Sequence, residues 1–121
     1  MRCLMAFVLI SLWSTRVFAH PLAPALLQLR ETAPQTYEVI WRTSITRVRS
    51  ADVEPVLPSV CREITPIERV PAENESLTAG WTVNCRPVGL VGQTIEIRGL
   101  EYSAINVIVR IEPREGEVVQ T

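Results

Sequence analysis

The 121-residue sequence contains one histidine, His20, and no lysine, so all 12 of its basic residues are arginines. With a single histidine, no Ser-His-Asp or Cys-His arrangement exists within the chain unless His20 itself reaches a nucleophile. The formal net charge of -1 gives no reason to expect a nucleic-acid partner, since nucleic-acid-binding domains usually have a strongly basic face. Gly89 and Gly92 lie between predicted strands rather than before a helix, so no phosphate-binding loop is present. We therefore expect a single non-enzymatic domain, with no nucleic-acid partner and no identified small-molecule substrate.

The first 19 residues have the features of a signal peptide. Arg2 supplies the positive start, Leu4–Trp13 is apolar, and residues 17–19 ("VFA") form a small-x-small cleavage site. As a helix, the apolar run would reach about 15 Å, roughly half the thickness of a hydrocarbon core. We therefore predict cleavage after Ala19 and export of residues 20–121 to the periplasm or another extracytoplasmic compartment. An uncleaved membrane anchor is the alternative.

The cysteines are few, and only Cys61 and Cys85 lie beyond the predicted signal peptide. Two cysteines in an oxidising compartment most simply form one disulfide. Closing a loop of about 25 residues would stabilise the fold by about 3.5 kcal/mol in the chain-entropy description. A metal-binding cysteine pair is the rival interpretation, but a lone pair without a second histidine is a poor zinc site.

Beyond residue 19, apolar residues recur with a period of two, and no stretch of 11 or more residues keeps a helical stripe. Turn signals separate the alternating runs, which predicts an all-β, antiparallel sandwich of immunoglobulin-like shape. Trp81 and Cys85 share a predicted inward face, so we expect the disulfide to pack against an aromatic core. The inward residues predicted in this way are Leu27, Leu29, Tyr37, Val39, Trp41, Leu77, Ala79, Trp81, Val83, Cys85, Ile95, Ile97, Ile105, Val107, Val109 and Ile111.

Two internal segments lack this alternation, and the C-terminal residues show it only in part. Ser44–Asp52 is polar and rich in arginine, and Pro58–Ser76 predicts a long connection tied down by Cys61. The final "IEPREGEVVQT" predicts the end of a strand, a glycine turn and the beginning of another strand. Because this last strand has little room, one interpretation is that the exported domain is truncated at its C-terminal end.

Three arginines, Arg42, Arg47 and Arg49, form the most basic cluster of the chain. They allow two interpretations. One is that they bind an anionic lipid surface or an acidic partner. The other is that they lie at the edge of a sheet, where charges discourage unwanted strand pairing.

His20 is the candidate metal ligand, because cleavage after Ala19 would make it the first residue. Its α-amino group and imidazole would then form a two-point chelate for Cu(II) or Ni(II). Pro21 has no amide proton, so the next backbone nitrogen cannot join as a ligand. A Cu- or Ni-binding module is therefore the alternative to a protein without any cofactor, and its remaining ligands would have to be carboxylates, carbonyls or another chain.

Several segments together resemble the extracytoplasmic N-terminal region of HupE/UreJ-type membrane proteins. They are the Ala-His end of the signal peptide, "ALLQLRETAPQTYEVIWRT", "GWTVNC" and "GLVGQTIEIRGLEYSAINVIVRIE". The likeness covers most of residues 19–120, and it contains no catalytic signature. The residues that carry it are Leu29, Arg30, Glu31, Tyr37, Trp41, Trp81, Cys85, Gly89, Leu90, Gly92, Ile95, Gly99 and Leu100.

The resemblance implies a β-rich domain outside the membrane, normally followed by several transmembrane helices. It also implies a link to hydrogenase and urease accessory functions, since some members of the family are nickel permeases. The sequence departs from this pattern because it reaches Thr121 without a transmembrane helix and lacks the histidine-rich motif of a permease. We therefore expect an interaction or accessory role beside a membrane protein, or beside the transmembrane part of the same family, and not transport. Whether the chain is a truncated or split member of the family or a free exported domain is left open.

Overall fold

The inner faces of three long strands define the architecture. The computed structural model describes residues 23–44, 52–72 and 76–121. In these residues the chain is mostly β-strand, and the described strands are β1 (Ala25–Ala33), β2 (Thr36–Ser44), β3 (Glu54–Val56), β4 (Arg62–Glu63), β5 (Glu68–Ala72), β6 (Ser76–Asn84), β7 (Glu96–Arg98), β8 (Val107–Glu112) and β9 (Val119–Gln120). One short 3-10 helix, Leu100–Tyr102, follows β7.

The described strands form two sheets. The larger has the order β4-β6-β2-β1-β8-β9, with β5 also pairing β6, and the smaller consists of β3 and β7. The prediction of a mainly β fold is confirmed. No helix among the described residues is long and apolar enough to cross a membrane.

The prediction of purely antiparallel strands is wrong at one position, because β1 and β8 pair in parallel. β6 is antiparallel to β2, and β2 is antiparallel to β1, so β6 and β8 run in the same direction. Two strands that run in the same direction need a crossover of a dozen or more residues. Residues 85–106 form this crossover, and they carry β7 and the 3-10 helix.

The core lies on the face that the alternating residues predicted. Leu29, Val39 and Trp81 are partners across β1, β2 and β6. All three are buried. Each fully buried side chain of this size contributes about 1.5–3 kcal/mol of transfer free energy. Leucine, isoleucine and valine residues of the crossover and of β8 pack against this core and are partly buried.

The opposite face of the larger sheet is polar at its centre. Arg30 pairs with Glu38 on the neighbouring strand, and Arg110 Nε donates to Glu112 Oε1 at 2.6 Å. Gln28 Nε2 donates to the same carboxylate oxygen at 3.2 Å. Such exposed pairs add little stability individually. Opposite charges on neighbouring strands nevertheless suit a face that contacts water.

The segment Pro58–Ser76 is not the long connection that the sequence predicted. It contains two short strands, β4 and β5, which both pair β6 in antiparallel fashion. Short, charged strands and strand prolines such as Pro71 are typical of sheet edges. Because edge strands need not alternate apolar and polar residues, the sequences of β4 and β5 give little indication that they are strands.

Two hydrogen bonds to Glu31 join separate parts of the chain. The backbone N–H of Gln35, in the β1–β2 turn, donates to Oε1 at 2.9 Å. The backbone N–H of Arg114, after β8, donates to Oε2 at 3.0 Å. The hydrogen bond from Arg114 and then that from Gln35 lower the pKa of Glu31. Burial and, secondarily, the charge of Glu31 raise the pKa of Tyr37, its partner across the strands.

Glu31→Gln should destabilise the protein at neutral pH more than in acid. A lowered pKa in the folded state means that the carboxylate stabilises the fold above its unfolded pKa of about 4.3, and that this contribution disappears as the pH falls through the folded value. Urea midpoints at pH 7 and pH 3 measure the difference. Glu117→Gln, an exposed carboxylate on the β8–β9 connection, is the control. An equal effect of Glu31→Gln at both pH values would contradict the assignment.

Gly99, in the crossover, allows the backbone to approach Asp52 closely. Its φ is 80°, and a Cβ at this position would lie well inside 3.0 Å of the Asp52 carbonyl oxygen. Gly92 has a similar φ of 78°, but nothing lies within 4 Å of its would-be Cβ. The two glycines therefore share a backbone conformation and differ only in the space beside them.

Gly99→Ala should lower the free energy of unfolding by clearly more than Gly92→Ala. The left-handed backbone alone costs about 1–2 kcal/mol for a residue with a Cβ, and Gly99→Ala must in addition move the backbone. Urea denaturation of both variants measures this difference. Equal midpoints would show that the Asp52 carbonyl does not constrain Gly99.

Candidate binding cavity between the two sheets

A cavity of about 520 Å³ lies between the inner face of the larger sheet and strand β3. This volume is within the range of cavities that take small ligands or side chains of a partner. β2 and β6 form its floor, β3 forms one wall, and Cys61, Ile67 and Ile105 are among the other residues that line it. The cavity is the candidate functional site of the described residues.

Alternation along β2 and β6 places two tryptophans on the floor. Trp41 pairs with Ala79, and Trp81 pairs with Val39, so the two indoles lie on neighbouring strands and are diagonal to each other. They are 8% and 9% exposed. The prediction that these tryptophans belong to the core is confirmed, and both also line the cavity.

The small side chain of Ala79 beside the large one of Trp41 explains why the floor is hollow. Ala79 on β6 lies directly between its cross-strand partners, Arg69 on the edge strand β5 and Trp41 on β2. Ala79 has only a methyl group between two long side chains. The space above Ala79 is therefore not filled from the larger sheet itself.

The wall next to β3 consists of consecutive residues. All six residues from Asp52 to Leu57 line the cavity, although only Arg98 does so from the paired strand β7. Because successive side chains of a strand point to opposite faces, a face would contribute only every second residue. The edge of β3 that does not pair with β7 therefore borders the cavity.

Charged residues line the cavity at the edge of the larger sheet and on β3. Arg69 is the partner of Ala79, and Glu63 is the partner of Val83, so both share the inward side of the sheet. Neither has a salt bridge within the described residues. Arg98 lies 3.8 Å from Glu54 in an exposed ion pair, which contributes little.

The predicted disulfide is present and adjoins the cavity. Cys61 and Cys85 are bonded, with their Cα atoms 4.0 Å apart. Cys85 is fully buried, and Cys61 lines the cavity. Both thiols are used in the bond, so neither supplies a nucleophilic thiolate. The bond ties the turn before β4 to the end of β6.

Among the described residues, no other candidate residue of the sequence lines this cavity. His20, Arg47 and Arg49 lie outside the described residues, as does the predicted signal peptide. Arg42 is exposed and pairs with Thr78 on the polar face of the larger sheet. Residues 23–44, 52–72 and 76–121 contain no group of three or more His, Cys, Asp or Glu side chains that could hold a metal ion.

Sequence reasoning missed Arg69, Glu63 and strand β3 as parts of one site. Arg69 and Glu63 belong to the segment that was predicted as a connection, and β3 has only three residues. The available signal was Ala79 between the inward residues Leu77 and Trp81, which marks a small residue on an otherwise bulky face.

Comparisons with known proteins give no match. No family model matches the chain, and no curated protein and no solved structure matches it either.

Removing the disulfide should destabilise the protein strongly. The double substitution Cys61→Ala and Cys85→Ala should lower the free energy of unfolding by about 3.5 kcal/mol, because the unfolded chain regains the freedom of a loop of about 25 residues. Urea denaturation of the oxidised parent and the double variant measures it. Cys3→Ala is the control and should change nothing, whereas an unchanged midpoint in the double variant would contradict a stabilising bond.

Proposed function

We propose that this chain is an exported, non-enzymatic interaction domain, equivalent to the extracytoplasmic N-terminal domain of a HupE/UreJ-like membrane protein. The observation that carries the binding role is the cavity with Trp41 and Trp81 on its floor and the edge of β3 on its wall. An open cavity with buried aromatic residues and a few charges at its margin is typical of recognition sites.

Export is supported by two independent features. Residues 1–19 have the charge, length and cleavage site of a signal peptide. The Cys61–Cys85 bond is the kind of crosslink that persists in oxidising compartments. Together they favour a periplasmic or other extracytoplasmic location.

The fold that we propose is an immunoglobulin-like sandwich with one reduced layer. The larger sheet supplies one layer, and the small β3–β7 sheet with the crossover supplies the other. Partly buried residues of this second layer, among them Ile95, Ile97 and Leu100, pack against the core.

The partner that we propose is a membrane protein. This part of the proposal, with its link to nickel, hydrogenase or urease systems, rests on the resemblance of residues 19–120 to the HupE/UreJ family. A Cu(II) or Ni(II) site at His20 is not part of the proposal, because Pro21 limits the chelate to two points and no other observation favours it.

The export proposal predicts the covalent structure of the purified protein. When the full chain is produced in a bacterium with a periplasm, intact-mass and peptide mass spectrometry should find an N-terminus at His20 and a linked Cys61–Cys85 pair. Ala19→Tyr should block cleavage because the cleavage position requires a small residue. Recovery from the cytoplasm of uncleaved parent protein in which Cys61 and Cys85 are both free thiols would overturn the proposal.

A further inference from the structure

We propose that the cavity between the two sheets binds an extended peptide segment of a partner that carries an acidic, an apolar and a basic residue at alternate positions. This inference rests on the proposed interaction role and names the partner's chemistry. It follows from three properties of the cavity: a strand edge that has no partner strand among the described residues, an apolar floor, and opposite charges at two ends.

The outer edge of β3 offers a backbone acceptor to an added strand. Within the described residues β3 pairs with β7 alone, and the consecutive lining of residues 52–57 indicates that its other edge faces the cavity. Pro55 has no N–H and cannot exchange two hydrogen bonds with its partner Ile97, so Glu54 and Val56 bond to β7 and the Pro55 carbonyl faces the other edge. An extended peptide can add to this edge through a main-chain hydrogen bond to that carbonyl, while pockets read its alternate side chains.

The floor supplies a contact for an apolar side chain. Ala79, Trp81 and Val83 follow one another at alternate positions of β6 and are all buried. Trp81 is the middle residue of the three. An apolar side chain that enters between the sheets would therefore lie over Trp81, with Trp41 diagonal to it.

The two charges define the spacing of the charged residues that the peptide would carry. Arg69 is level with Ala79, and Glu63 is level with Val83. Four residues of β6 separate these levels, which corresponds to about 13 Å at about 3.3 Å per residue. An extended peptide covers the same distance between its first and fifth residues. Positions one, three and five also point to the same side, so an acidic residue would meet Arg69, an apolar residue Trp81 and a basic residue Glu63.

Charge complementarity favours this peptide over an uncharged ligand. Arg98 is already paired with Glu54, whereas Arg69 and Glu63 have no salt bridge within the described part of the chain. The two free charges have opposite signs and lie at opposite ends of the floor. Complementary charges set the register and direction of a bound partner more than its affinity.

The test uses the full chain and two synthetic peptides of identical composition. The first is acetyl-Glu-Thr-Ile-Thr-Lys-amide, and the second is acetyl-Thr-Glu-Ile-Lys-Thr-amide, whose charges lie at positions two and four and therefore point away from the floor in either chain direction. NMR titration, followed at the indole N–H signals of Trp41 and Trp81, gives the dissociation constants and the site together. We expect the first peptide to bind at least tenfold more tightly and to shift both indole signals.

Charge substitutions separate recognition from folding. Arg69→Glu should weaken the first peptide at least tenfold, and the swapped pair Arg69→Glu with Glu63→Arg should restore its binding, because the peptide can then enter in the opposite direction. Both residues are exposed, so the variants should fold, and the unshifted signals of the NMR spectrum show whether they do. Arg42→Glu, on the polar face of the larger sheet, should leave binding unchanged.

Several outcomes would overturn the inference. They are equal binding of both peptides, no restoration of binding by the swapped pair, or binding without a shift of Trp41 and Trp81. Failure of both peptides would show that the cavity takes another occupant, such as a small molecule or a segment of this chain, and would also overturn it. A cleaved, disulfide-linked exported protein that binds neither peptide would leave the proposed export standing, whereas a cytoplasmic, uncleaved chain would remove the proposed function whatever the peptides do.

Discussion

The packing of Leu29, Val39 and Trp81 across three neighbouring strands is the interaction on which the rest of the structure depends. These residues occupy the centre of β1, β2 and β6, and the first two are fully buried. The opposite side of the same strands carries charged and polar pairs such as Arg30 with Glu38. The larger sheet therefore has one apolar face, and that face must be covered.

Two elements provide the cover, and the space that they leave is the cavity. The crossover between β6 and β8 has to pass over the sheet because its two flanking strands run in the same direction. The small β3–β7 sheet covers a second region, and the Cys61–Cys85 bond holds the turn before β4 against the end of β6. Beside β3, the small side chain of Ala79 leaves the floor unfilled. The cavity is thus a consequence of how a one-sided sheet is covered.

Some of these features could be predicted from the sequence, and others could not. The inward positions of Leu27, Val39 and Trp81 follow from local alternation, because the side chains of a strand point to opposite faces in turn. The disulfide could be predicted because only two cysteines lie beyond the signal segment. The parallel pairing of β1 with β8 could not, since alternation defines a face and not a neighbour. The long strands were therefore predicted with one wrong pairing, and the short strands β4 and β5 were missed.

The cavity was missed for a related reason. Arg69 and Glu63 lie in short edge strands whose charged sequences resemble a loop, and they meet the floor only because both strands pair β6. Strand β3 has too few residues to show alternation. A site built by pairing between distant segments has no local signature, even when each of its residues is visible in the sequence.

The most direct measurement of the central claim is the set of proton contacts between the bound peptide and the protein. In the complex with acetyl-Glu-Thr-Ile-Thr-Lys-amide, nuclear Overhauser effects should join the isoleucine methyl groups of the peptide to the indole ring of Trp81. This result would place the peptide between the two sheets, above the floor. Contacts to Leu26 or Ile108, whose positions in the strands belong to the opposite face of the larger sheet, would contradict the account.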